Sequence, residues 1–98
     1  MTYANSTERA AFISGLRGLV EYLESDLEVP APIYSTVHTF PPAGDWSALC
    51  GEIDAIAARL GVTTHVTASG HYVAVRCFGS VEYRAVAIPR YDDSGQGE

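Results

Sequence analysis

Two short glycine-containing breaks, Ser69-Gly70 and Gly79-Ser80, constrain this chain more than any other feature. They separate three alternating runs rich in Val, Thr, Tyr and Phe: Val62–Ala68, His71–Phe78 and Val81–Ile88. β-Branched and aromatic residues at period two, punctuated by glycine turns, predict strands joined as hairpins. The last third of the chain therefore predicts a three-stranded antiparallel meander. Gly first at Gly79-Ser80 suits a type II′ turn.

Read as two-residue turns, the breaks fix a register. Phe78 pairs with Val81, Arg76 with Tyr83, Ala74 with Ala85 and Tyr72 with Ala87. On the other hairpin Thr67 pairs with Tyr72, His65 with Ala74 and Thr63 with Arg76. Side chains alternate across a strand, so the register sorts them onto two faces. One carries Val62, Val66, Val73, Val75, Cys77, Val86 and Ile88, with Glu82 and Arg84 near one end. Its valines predict the core side, covered by both helices. The other carries Thr63, His65, Thr67, Tyr72, Ala74, Arg76, Tyr83, Ala85 and Ala87. It is half-polar, as an uncovered antiparallel face should be.

Upstream, Phe12, Ile13, Leu16, Leu19, Val20 and Leu23 recur at helical spacing and predict a helix from about Ser6 to Asp26. Asn5 can cap it, with Glu8 completing a capping box. Pro30 and Pro32 forbid its continuation. Ile33–Phe40 alternates as a strand, and Pro41, Pro42 and Gly44 form a loop. Asp45 is a good N-cap for a second helix, Trp46–Leu60, with Trp46, Leu49, Cys50, Ile53, Ile56, Ala57 and Leu60 on one side. Gly61 stands where a left-handed C-terminal glycine belongs. The predicted architecture is α+β, in the order α-β-α-β-β-β. Two helices pack on one face of a four-stranded, mainly antiparallel sheet ending in the meander. The crossover favours parallel pairing of the first strand with one strand of the meander. Residues 1–90 read as one domain and 91–98 as a disordered acidic tail.

Twelve acids oppose six basic residues, all Arg, for a net charge of −6. That balance argues against nucleic acid and anionic membrane as partners. No apolar run approaches the roughly 20 residues of a membrane span. The N-terminus lacks the basic start and apolar run of a secretory leader, so the expected compartment is the cytoplasm. Cys50 and Cys77 read as small buried hydrophobes rather than a disulfide or a nucleophile. His38, His65 and His71 lack metal-ligand spacing, and His65 and His71 alternate to opposite faces. Glu82 and Arg84 read as a surface ion pair. No catalytic residue, metal site or cofactor is expected.

Two surfaces remain as candidates. Tyr34 and His38 of the first strand would share the open face with His65, Tyr72, Arg76 and Tyr83. Tyr and Arg are enriched at binding hot spots, so this face suggests a protein partner or a homodimer. Glu21, Glu24, Asp26 and Glu28 cluster where a helix dipole prefers cations. That patch suggests the alternative of an acidic inhibitor that mimics nucleic acid and binds a basic protein. A small enzyme is the third reading, and no paired acid and base supports it.

The stretch GLRGLVEYLESDLEVPAPIYSTVHTF, Gly15 to Phe40, resembles a family of short uncharacterised proteins of actinobacteria and their phages. In these a helix of the form LRxLaxfLExxpelPvP leads into a strand. Phe78-Gly79-Ser80-Val81 is similar to the FGxV hairpin they carry. The resemblance covers about half the chain. Relatives commonly continue into an Arg/Glu/Cys-containing segment; here Ile88-Pro89-Arg90 is followed by YDDSGQGE, so no property of that segment carries over. The resemblance implies an actinobacterial or phage origin, in keeping with the absence of lysine, and implies no activity. The expected function is a small non-enzymatic protein-interaction or regulatory module.

Overall fold

A computed structural model describes residues 3–89. The elements run α1 (Ser6–Ser25), β1 (Ser35–Thr39), α2 (Trp46–Leu60), β2 (Thr64–Val66), β3 (Tyr72–Phe78) and β4 (Val81–Ala87). They form two compact units, one of residues 4–34 and one of Tyr3 with residues 35–89. The acidic tail expected over 91–98 lies outside the described residues.

In the first unit α1 starts as its sequence dictates. The Glu8 backbone N–H donates to Asn5 Oδ1 at 2.8 Å, and the Asn5 N–H donates to Glu8 Oε1 at 2.9 Å. This reciprocal box satisfies two N–H groups that a helix start otherwise leaves open. The helix ends at Ser25, and Asp26, extended, caps it through its N–H to the Tyr22 carbonyl at 3.1 Å. No α1 residue is buried, and Phe12, Ile13, Leu16, Leu19 and Val20 are exposed.

The second unit holds a four-stranded mixed sheet in the order β1-β4-β3-β2. The meander β2-β3-β4 is antiparallel, and β1 lies at the edge, parallel to β4, with Ser35 opposite Val81 and Thr39 opposite Ala85. Parallel pairing follows from the helical crossover. α2 has the predicted bounds. Asp45 Oδ1 accepts from the Ala48 N–H at 2.8 Å, and Gly61 closes the helix at φ 73°. A residue with a side chain is disfavoured at that φ.

The two hairpins diverge. Phe78 faces Val81 as predicted, with Gly79 at φ 65° and Ser80 at negative φ, as a type II′ turn requires. The break at Ser69-Gly70 is not a two-residue turn. The Gly70 N–H donates to the Thr67 carbonyl at 2.9 Å and the Thr67 N–H to the His71 carbonyl at 2.8 Å, with Gly70 at φ 86°. Ala68, Ser69 and Gly70 thus make a three-residue loop with glycine in the left-handed position. The Thr67 hydroxyl holds the loop, accepting from the His71 N–H at 3.1 Å and bonding the Ser69 hydroxyl at 3.0 Å. The extra residue slides β2 by one position. Val66 faces Tyr72, His65 faces Val73 and Thr64 faces Ala74. A one-residue slip exchanges the faces of a whole strand. His65 therefore joins the valine side, and Val66 joins the tyrosine side.

The larger correction concerns which face α2 covers. It packs on the side expected to be open. Leu49, Ile53 and Ala57 of α2 form one cluster with Ala74, Ala85 and Ala87, and Ile56, Leu60, Val62, Tyr72 and Tyr83 pack around it. Ile53, Ala74 and Ala85 are 0 % exposed. The reason is steric. A row of alanines lets a helix approach the sheet closely, and the larger residues fit as a rim. Fully burying a side chain such as Ile53 contributes about 1.5–3 kcal/mol.

Candidate functional site

Of the six residues expected to share a partner-binding face, His38, His65, Tyr72, Arg76 and Tyr83 belong to the sheet unit, and the fold divides these five between its two sides. Tyr72, Arg76 and Tyr83 lie on the α2 side and help to seat the helix. The Tyr72 hydroxyl donates to Asp54 Oδ1 on α2 at 2.5 Å and meets the Thr64 hydroxyl at 2.7 Å. The phenol has a single proton, so Thr64 is the donor in the second bond. The bond to Asp54 is the main reason the Tyr72 pKa is raised. Arg76 Nη1 donates to the Leu60 carbonyl at 3.1 Å, and its guanidinium lies 5.2 Å from the centre of the Phe78 ring. A cation on the last carbonyls of a helix meets the negative end of its dipole. Tyr3 adds another polar tie to α2, donating to Glu52 Oε1 at 3.0 Å. Burial, then this bond, pushes its phenol up to about 12.

His38 and His65 lie on the other side of the sheet, turned away from α2. His38 is level with Arg84 and His65 with Val73, and both histidines are exposed. Tyr34 belongs to the unit of residues 4–34 and is exposed. The expected face is therefore not one surface. The three-residue loop turns His65 to the far side, the pairing of β1 with β4 sets His38 beside Arg84, and the alanine row seats α2 over Tyr72, Arg76 and Tyr83.

The side away from α2 has its own constellation. His38, Phe40, His71, Arg84, Val86 and Ile88 line an open cleft of about 250 Å³. Arg84 Nε donates to Glu82 Oε2 at 3.0 Å, and the Thr36 hydroxyl donates to the same oxygen at 3.2 Å. The expected Glu82–Arg84 pair is thus present, half-buried and tied to β1. The His38 and Phe40 rings stack, with centroids 5.9 Å apart and planes within 10°. Val73 and Val86 of this face are buried and Val75 half-buried, but Cys77 is exposed. Reading both cysteines as buried hydrophobes is corrected accordingly. Cys50 is half-buried, Cys77 is not, and both thiols are free. Burial, then the charge of Asp54, raises the Cys50 pKa.

His71 and Arg84 line the cleft although neither belongs to the face expected from the sequence. His71 and His65 fall on the same side of the sheet once β2 is slipped, not on opposite faces. The signal for His71 was its odd-numbered parity with Val73 and Val75. Among the described residues no group of three His, Cys, Asp or Glu side chains could hold a metal ion. No helix of the described residues is long and apolar enough to cross a membrane.

The acidic residues of the first unit are accounted for locally in part. Glu21 and Glu24 are exposed on α1, and no basic residue stands in its last turn. Asp26 forms the helix cap, and its Oδ1 accepts from the Glu28 N–H at 3.1 Å. Such a bond is the usual local role of an aspartate just past a helix. The chain matches no family model, no curated protein and no solved structure.

Proposed function

We propose that this protein is a small non-enzymatic interaction module whose working surface is the sheet face turned away from α2. The observation that carries the reading is the division of labour between the two faces. Tyr72, Arg76 and Tyr83 are engaged around α2, while His38, His65 and Cys77 stand exposed on the other side. Mixed polar and apolar side chains on a rigid strand scaffold suit a protein partner or a second copy of the chain. An actinobacterial or phage origin is part of the same reading, supported by the lysine-free composition.

The test combines capture from an actinobacterial lysate with sedimentation of the purified protein over a concentration series. A retained partner, or a concentration-dependent dimer, is expected for the unaltered chain and for Arg59→Ala, which alters the outer side of α2. Both should be lost in the His65→Glu/Cys77→Glu double variant. Equal behaviour of all three proteins, or a monomer that retains nothing, would overturn the proposal.

A further inference from the structure

We infer that the cleft between His38, His71 and Arg84 is a seat for a carboxylate carried next to one apolar group, as at the C-terminus of a partner chain ending in a residue such as leucine. The inference rests on the proposed use of this face and names the chemistry it would recognise. Three observations converge on it.

The first is the donor set. Two imidazoles and one guanidinium line the same cleft, and no carboxylate lines it. A guanidinium carries five N–H donors in a planar fork, and the bond to Glu82 uses only the one on Nε. The terminal nitrogens keep the paired geometry that matches a carboxylate. Glu82 does not line the cleft; it bonds the guanidinium at Nε and is itself held by Thr36.

The second is preorganisation. His38 is stacked on Phe40, which restricts its ring. Arg84 and Val86 stand on β4, a strand paired on both sides. His71 is anchored by the three-residue loop, through both its N–H and its carbonyl. Groups held before a ligand arrives lose less entropy on binding it. The third is the apolar remainder. Phe40, Val86 and Ile88 complete the lining, and Ile88 and Phe40 are both more than 40 % exposed. At about 250 Å³ the cleft is smaller than most drug-sized pockets, which suits one residue's worth of ligand. The free N–H donors of Arg84 favour an anionic group over a cationic terminus, and the apolar lining disfavours a bare inorganic anion.

The probe is N-acetyl-leucine, compared with N-acetyl-leucinamide and hexanoate, at fixed pH on the full chain, followed through the histidine ring signals by NMR. N-acetyl-leucine should shift His38 and His71 saturably and leave His65, outside the cleft, in place. The amide should shift neither. Hexanoate weaker than N-acetyl-leucine would support a chain terminus as the source, and hexanoate binding more tightly would overturn that source. Arg84→Gln should weaken N-acetyl-leucine at least about tenfold, the worth of a charge-assisted hydrogen bond. Equal binding of acid and amide, no saturable shift, or a shift of His65 with the others would each overturn the site. The comparison of acid and amide needs no variant, so it stands even if Arg84→Gln disturbs the sheet. Retained capture or dimerisation alongside a failed probe would remove this ligand chemistry alone. Loss of both would remove the use of the face.

Discussion

The side of the sheet under α2 is built from alanines ringed by tyrosines, and the side away from α2 is built from valines ringed by histidines and an arginine. Counting hydrophobicity alone, the valine side should be the one a helix covers. The structure inverts that expectation. Ala74, Ala85 and Ala87 leave a shallow seat in which Ile53 is wholly enclosed. Around the seat, Tyr72, Tyr3 and Arg76 reach polar groups of α2 with their tips, and the bodies of Tyr72 and Tyr83 pack against the cluster. A helix needs space as well as apolar surface. Small residues at the centre with long amphipathic ones at the rim provide both.

The contrast can be broken most strongly at Ile53. Ile53→Ala should cost roughly 2–5 kcal/mol in a urea titration, because a filled core position leaves a cavity. A loss near zero would mean that α2 is not seated on the alanines. Next in size is Ala85→Leu, which should cost about 1–3 kcal/mol by overfilling the seat. The matched change on the other face, His65→Leu, should stay within about 0.5 kcal/mol. The reverse order would restore the valine side as the covered one.

A smaller effect than at Ile53 or Ala85 is expected at the tyrosines. Tyr72→Phe removes the bond to Asp54 and should lower the urea midpoint by less than Ala85→Leu does. The Tyr72 and Tyr3 phenols are raised in the fold, Tyr3 to about 12, so the folded state favours their neutral forms. Their contribution is complete below the ordinary phenol pKa of about 10 and is lost as pH rises through the raised values. In an ultraviolet titration the Tyr3 phenol should ionise near pH 12. Ionisation of Tyr3 at the ordinary value would remove its tie to Glu52.

Local features were the most legible. The Asn5–Glu8 capping box, the Asp45 cap, the Gly61 stop and the full span of α2 follow from residues within a few positions of one another. The Gly79-Ser80 hairpin follows from its turn residues in the same way. Ser69-Gly70 was harder, because a Gly at the end of a loop fits either a two-residue turn or the last position of a three-residue one. The Thr67 hydroxyl, bonding to Ser69 and His71, favours the longer loop. That single residue of loop length decides where His65 points. The cleft that includes His71 and Arg84 lies on the valine face, which hydrophobicity alone assigns to the core, and His38 reaches that face through the pairing of β1 with β4.

What the sequence determined by itself was the order α-β-α-β-β-β, the caps, the meander and the parity of β3 and β4. Each rests on near-neighbour chemistry: periodicity, backbone preference at glycine and proline, and side chains that bond their own helix ends. Only the tertiary structure decided the edge position of β1, the slip of β2 and the face that α2 covers. Those depend on fit between segments far apart in the chain, where volume and loop length outweigh the hydrophobicity of any single strand.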